Sequence, residues 1–172
     1  MGIELSIADV FRMAGQLEQD ASAFYREASS LSTDPRCRQL LAQLATMEDD
    51  HVHVFGGIKH HLAGRLRTGR DESPGEACPC SVDSLGMLAA SAAGTLGRRF
   101  AGLPTNQDVL RKALDFERES IVFFLGLRSM LGRPADKKQV DAILLEELGH
   151  VVKLTSQLAC GAGADRSGGD VH

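Results

Sequence analysis

The chain has 172 residues, 43% of them hydrophobic and 5% aromatic, and a formal net charge of -4. That length suits one domain with a sizeable core. The acidic balance excludes the basic footprint of a nucleic-acid or anionic-membrane binder, and no apolar run approaches the ~18 residues of a spanning helix. The N-terminus MGIELSIADVF has no basic, apolar, small-residue leader pattern, so a soluble cytoplasmic protein is expected.

Apolar residues recur at helical spacing from about 6 to 31, with Val10, Met13, Leu17, Phe24 and Ala28 on one stripe and Ser6 and Asp9 as a weak capping box. A second helix is predicted to start at Asp34-Pro35, a cap residue followed by proline at the first helical position. It continues through Leu40, Leu44, Met47 and Phe55 towards Leu66, with a kink or irregular turn expected at Gly56-Gly57. The stretch TGRDESPGEACPCS, residues 68–81, is a polar linker. A short crossover helix is expected within 82–100, where small apolar residues dominate; its SAAGTLG segment suits close packing against another helix. Further helices are predicted from about 106 to 131 and from about 135 to 159, separated by Gly132-Arg133-Pro134. The tail GAGADRSGGDVH, 161–172, reads as disordered. No segment shows sustained two-residue alternation. The expected fold is therefore all-α: a four-helix bundle of two helical hairpins over 1–160, joined by a linker and crossover at 66–104.

The two hairpins carry one repeated pattern. The first has LEQDASAFY with Glu18, and thirty residues later MEDDH with Glu48 and His51. The second has FERESIVFF with Glu117, and thirty residues later EELGH with Glu147 and His150. The offset between the hairpins is 99 residues throughout. One Glu-x-x-His occurs often by chance, and a solvated acidic face would explain it. Two of them, each thirty residues after a glutamate on the preceding helix, are specific. At ~1.5 Å rise per residue the first hairpin climbs about 24 Å from Glu18 to Asp34 and returns about 21 Å to Glu48, so the two side chains lie near one level. Within each Glu-x-x-His the two side chains share a face. Four carboxylates and two imidazoles converging in a bundle interior are too costly to bury unpartnered. Two divalent cations would offset four carboxylates, and a donor set of oxygen and imidazole without thiolate suits iron or manganese, with zinc also possible.

These motifs resemble the ferritin-like superfamily and, within it, the rubrerythrin-type domain, over about residues 6 to 160. The resemblance implies a bundle with a two-metal centre, usually di-iron, that reacts with dioxygen or hydrogen peroxide while oxidising Fe(II). It implies Glu18 and Glu117 as ligands from the first and third bundle helices, Glu48 and Glu147 as bridging carboxylates, and His51 and His150 each capping one metal. It also implies at least a homodimer. Rubrerythrins carry a further glutamate three residues after the third-helix ligand, where this chain has Ser120, so a six-ligand site like that of bacterioferritin is expected. No C-terminal rubredoxin domain is expected, so electrons would come from an external donor or from Fe(II) itself. The alternative function is non-catalytic: an iron carrier or sensor using the same ligands.

Other residues carry weaker expectations. Asp49, Asp50, His53, Glu119 and Glu146 read as a solvated helix face, with a hydrogen bond to the outer N–H of His51 or His150 as the alternative. Tyr25, the sole tyrosine, either packs or bonds a ligand carboxylate. His60 and His61 read as an exposed helix end. Leu17, Met47, Phe116 and Leu148 adjoin the proposed ligands and are expected near a buried face. Cys37 and Cys160 are expected as buried thiols. Cys78-Pro79-Cys80 has too few thiols for a metal site, and a reducing cytosol disfavours a lasting disulfide there.

Overall fold

In the computed structural model, which describes residues 7–68, 82–97 and 105–164, helix α1 (Ile7–Leu31) buries the stripe Val10, Phe11, Ala14, Leu17, Ala21, Phe24, Tyr25 and Ala28. These recur at three- and four-residue steps, the spacing of one helix face. The chain turns at Ser32, whose N–H bonds the Ala28 carbonyl at 3.0 Å and whose carbonyl accepts from the Arg38 guanidinium. Asp34 caps α2 (Pro35–Thr68) by accepting from the Arg36 N–H at 3.0 Å. Gln157 reaches across to the other Asp34 oxygen at 3.2 Å.

No irregular turn breaks α2 at Gly56-Gly57: it runs as one α-helix through both glycines. Phe55 and Ile58 are fully buried on either side of the pair, and their packing holds the helical course that two glycines locally disfavour. His60 and His61 accordingly sit inside α2, both exposed, rather than at its end.

α3 (Val82–Gly97) is the expected crossover helix, and it lies against α1 and against α4 (Asn106–Met130). It buries Leu85, Ala89 and Ala92, and its Thr95 hydroxyl donates to Glu119 of α4 at 2.8 Å. Its small-residue segment thus packs within the chain. α4 starts at the cap residue Thr105, whose hydroxyl accepts from the Asp108 N–H at 3.2 Å. α5 (Pro134–Ala164) is joined to α4 by the Arg128–Asp141 ion pair, in which Nη2 lies 3.1 Å from Oδ2. α5 extends beyond the expected end near 159, so residues 161–164 are helical rather than disordered; 165–172 lie outside the described residues. So do Ser6, Cys78 and Cys80.

Among the described residues there is no strand, and no helix is long and apolar enough to cross a membrane. α1 pairs with α2 and α4 with α5, and the two hairpins pack through α1–α4 and α2–α5 contacts. Seven residues, about 10 Å, from each helix's glutamate on one side lie Phe11, Phe55, Phe124 and Val140. Seven residues away on the other side lie Tyr25, Leu41, Leu110 and Leu154, and all eight are buried. The Phe55 ring is stacked on Phe124 at 5.0 Å between centroids and lies 6.3 Å from Phe11. Two apolar layers therefore close the bundle above and below the glutamates.

Candidate metal centre

Each bundle helix delivers its share of the centre from its buried stripe: Glu18 from α1, Glu48 and His51 from α2, Glu117 from α4, and Glu147 and His150 from α5. All six are at most 2% exposed. They form two groups that overlap. Glu18, Glu48, His51 and Glu147 have ligand atoms within 4.8 Å of one another, and so do Glu48, Glu117, Glu147 and His150. Glu48 and Glu147 belong to both groups. Glu18 and His51 lie on one side of them, Glu117 and His150 on the other.

Both imidazoles turn Nδ1 inward. His51 Nδ1 lies 3.1 Å from Glu48, 3.0 Å from Glu147 and 3.6 Å from Glu18. His150 Nδ1 lies 3.1 Å from Glu48, 3.2 Å from Glu147 and 3.5 Å from Glu117. The rings stack 5.8 Å apart. Most of these contacts are close without hydrogen-bond geometry. Both oxygens of Glu18, both of Glu147, Glu48 Oε1, Glu117 Oε2 and both nitrogens of His150 are buried with no hydrogen-bond partner. Buried polar atoms are normally satisfied, and each exception requires an explanation. Here the exceptions among the described residues fall within one cluster of oxygen and imidazole donors. Bound cations would satisfy them, and the donor set fits divalent metal ions.

The electrostatics of the protein alone show the same strain. Burial, followed by the charges of Glu147 and Glu48, pushes the Glu18 carboxyl well above its ordinary range. Burial and Glu147 push Glu117 up to about 8. Burial and Glu48 also push Glu147 up, but its contacts with Glu117, His150 and His51 outweigh them and it falls. Burial disfavours the cationic histidines, yet the surrounding carboxylates win: His51 is raised, and His150 is raised to about 12. Without a metal, the cluster thus holds protons in place of cations.

All six residues expected from the repeat meet. Several of their neighbours behave differently from expectation. Tyr25 does both things proposed for it: it is fully buried, and its hydroxyl donates to Glu117 Oε1. Glu146, read as part of a solvated face, is half exposed, yet its Oε2 lies 3.2 Å from His51 Nε2. With Nδ1 turned inward, Nε2 carries the N–H and donates to that carboxylate. The repeat could not flag Glu146, because the equivalent position in the first hairpin is Met47. Glu119 clasps Thr95 of α3, and Asp49 bonds Ser22 at 2.8 Å and pairs with Arg26. Asp50 and His53 are exposed. Leu17 and Phe116 are buried and Met47 half-buried, but Leu148 is 50% exposed, because among the described residues no helix covers its flank of α5. Cys37 is buried as expected; Cys160, near the end of α5, is exposed. Ser120 is buried and donates to the Glu117 carbonyl at 2.9 Å, so no carboxylate enters from that position.

No family model and no curated protein matches the chain. Among solved structures, a candidate ferritin-like diiron-carboxylate protein from Thermotoga maritima matches with a TM-score of 0.63. The match covers 92% of this chain and 98% of that one at 21% identity, which speaks for the fold. With five helices and no strand among the described residues, and with paired hairpins, the chain has the ferritin-like all-α fold.

Proposed function

We propose that this protein is a di-iron carboxylate protein that oxidises Fe(II), reduces dioxygen or hydrogen peroxide, or couples the two. The observation that carries this reading is the pair of overlapping four-residue groups, fully buried and rich in unpartnered donor atoms. Glu18, Glu48, His51 and Glu147 would hold one ion, and Glu48, Glu117, Glu147 and His150 the other, with Glu48 and Glu147 shared. Bound iron would supply the one-electron redox chemistry. The chain's own residues set the conditions for it. Glu48 and Glu147 keep the two positions adjacent, the apolar layers at Phe55 and Leu41 exclude bulk water, and the raised carboxyls and imidazoles release protons as cations enter. Electrons for turnover come from added Fe(II) or a separate donor.

The test is anaerobic loading with Fe(II), followed by dioxygen or hydrogen peroxide, with ferric absorption read against time. Wild type is expected to oxidise Fe(II) rapidly, and Glu48→Ala combined with Glu147→Ala is expected to lose the activity. Equal rates in the two proteins sink the proposal. A loaded wild type that binds iron but consumes no oxidant would instead make the protein a carrier or sensor.

We also propose a homodimer. Leu145, Leu148 and Val152 recur at i, i+3 and i+7 along α5 and are at least half exposed, a stripe suited to burial against a second copy. A monomer at micromolar concentration contradicts it.

A further inference from the structure

The repeat makes the two halves of the centre equivalent in their ligands, but the residues behind the ligands are not equivalent. Two positions break the symmetry independently. The first is behind the histidines. Glu146 accepts from His51 Nε2 at 3.2 Å, whereas 99 residues earlier the equivalent position is Met47, which cannot replace a carboxylate. His150 Nε2 is correspondingly buried with no hydrogen-bond partner. The second is behind the terminal carboxylates. The Tyr25 hydroxyl donates to Glu117 Oε1, whereas the position equivalent to Tyr25 is Phe124, which has no donor. Glu18 therefore keeps both oxygens free of hydrogen bonds.

Both differences act in the same direction. A carboxylate that takes the outer N–H of a ligand imidazole fixes the ring and makes its inner nitrogen a stronger donor. A carboxylate that accepts an O–H has one oxygen committed and less charge to offer a cation. The Glu18–His51 side has the strengthened histidine and the uncommitted carboxylate. The Glu117–His150 side has the unsupported histidine and the committed carboxylate.

Building on the metal-centre reading above, we infer that the two positions are unequal: the Glu18–His51 position binds its ion more tightly and fills first, and the Glu117–His150 position is the weaker one. Glu146 is then a positioning residue for His51, and Tyr25 a modulator of Glu117.

The test is a titration of the chelator-treated full chain with Co(II), followed by calorimetry and visible absorption, which needs no turnover. Mutual repulsion alone makes any second ion bind more weakly, so two unequal steps in wild type do not decide the matter. Glu146→Ala does. If the positions are unequal, losing Glu146 weakens the first step by roughly 10–100-fold and leaves the second nearly unchanged. If they are equal, the intact His150 side takes the first ion, so the first step holds and the second weakens. That result overturns the inference, as does no change in either step. Glu146→Gln, which keeps an acceptor, is expected to fall between Ala and wild type. Tyr25→Phe is expected to alter the second step only; a change confined to the first step also overturns the inference. A wild-type chain that binds no Co(II) refutes the metal centre itself, and the inequality with it.

Discussion

Replacing Glu117 with glutamine should stabilise the metal-free protein, increasingly so as pH rises. Glu117 is fully buried beside Glu147, and its carboxyl is raised from 4.5 to about 8. A group whose folded value lies above its unfolded value stabilises most below the unfolded value, and that stability is lost as pH rises through the folded one. The window here runs from about pH 4.5 to about pH 8. At ~1.4 kcal/mol per unit the loss is about 2 kcal/mol by pH 6 and of order 4–5 kcal/mol by pH 8. The substituted glutamine side chain has the same shape, accepts from Tyr25 through its carbonyl and has no charge to bury. Urea unfolding with chelator present, at pH 5, 6, 7 and 8, checks this. The difference between variant and wild type should be small at pH 5 and should grow with each unit. Parallel curves for the two proteins would refute the reasoning, because they would mean that Glu117 feels neither burial nor its neighbours' charge. With metal bound the sign reverses: cations favour the ionised carboxylates, so loaded wild type gains stability as pH rises while Glu117→Gln loses affinity.

Three further outcomes follow from the fold. Gly56 and Gly57 are exposed within a continuous helix, and a Cβ at either meets no atom within 4 Å, so alanine at each should raise unfolding stability by roughly 0.5–1 kcal/mol in thermal or urea melts. Phe55→Ala removes the ring that stacks on Phe124 and lies tilted beside Phe11, and should cost about 3–5 kcal/mol by the same melts. Thr105→Ala removes the hydroxyl acceptor of the Asp108 N–H, leaving it only the residue-105 carbonyl, and should cost about 1 kcal/mol while leaving Co(II) titration unchanged, since the cap lies far along α4 from Glu117.

How much of this was legible in the sequence depends on the kind of signal. The six clustered residues were found because the geometry of an antiparallel hairpin ties sequence interval to height, and the interval occurs twice. The helix start at Pro35 was legible because cap chemistry is local. What the sequence could not show is which helix covers each flank of another. Phe116 and Leu148 each sit one residue from a ligand glutamate, on opposite flanks of their helices. One flank is covered and the other faces outward, so Phe116 is buried and Leu148 is not. Glu146 was misread for the same reason: it sits on the flank of α5 turned towards α2, where it meets His51 across the groove. A repeat argument finds what is shared between hairpins and is blind to what differs, and both Glu146 and Tyr25 are differences. The helix continues through the glycine pair in α2 because local propensity, about 1 kcal/mol per glycine, is small beside the burial of Phe55 and Ile58.

The central claim, that the buried Glu and His residues hold two metal ions, is tested most directly by metal content. Protein purified and loaded with Fe(II), then freed of excess ion, is analysed by elemental mass spectrometry alongside the Glu48→Ala, Glu147→Ala double variant. Two ions per chain in wild type and almost none in the variant is the predicted result. Equal content in the two proteins, or far less than one ion per wild-type chain, would contradict it.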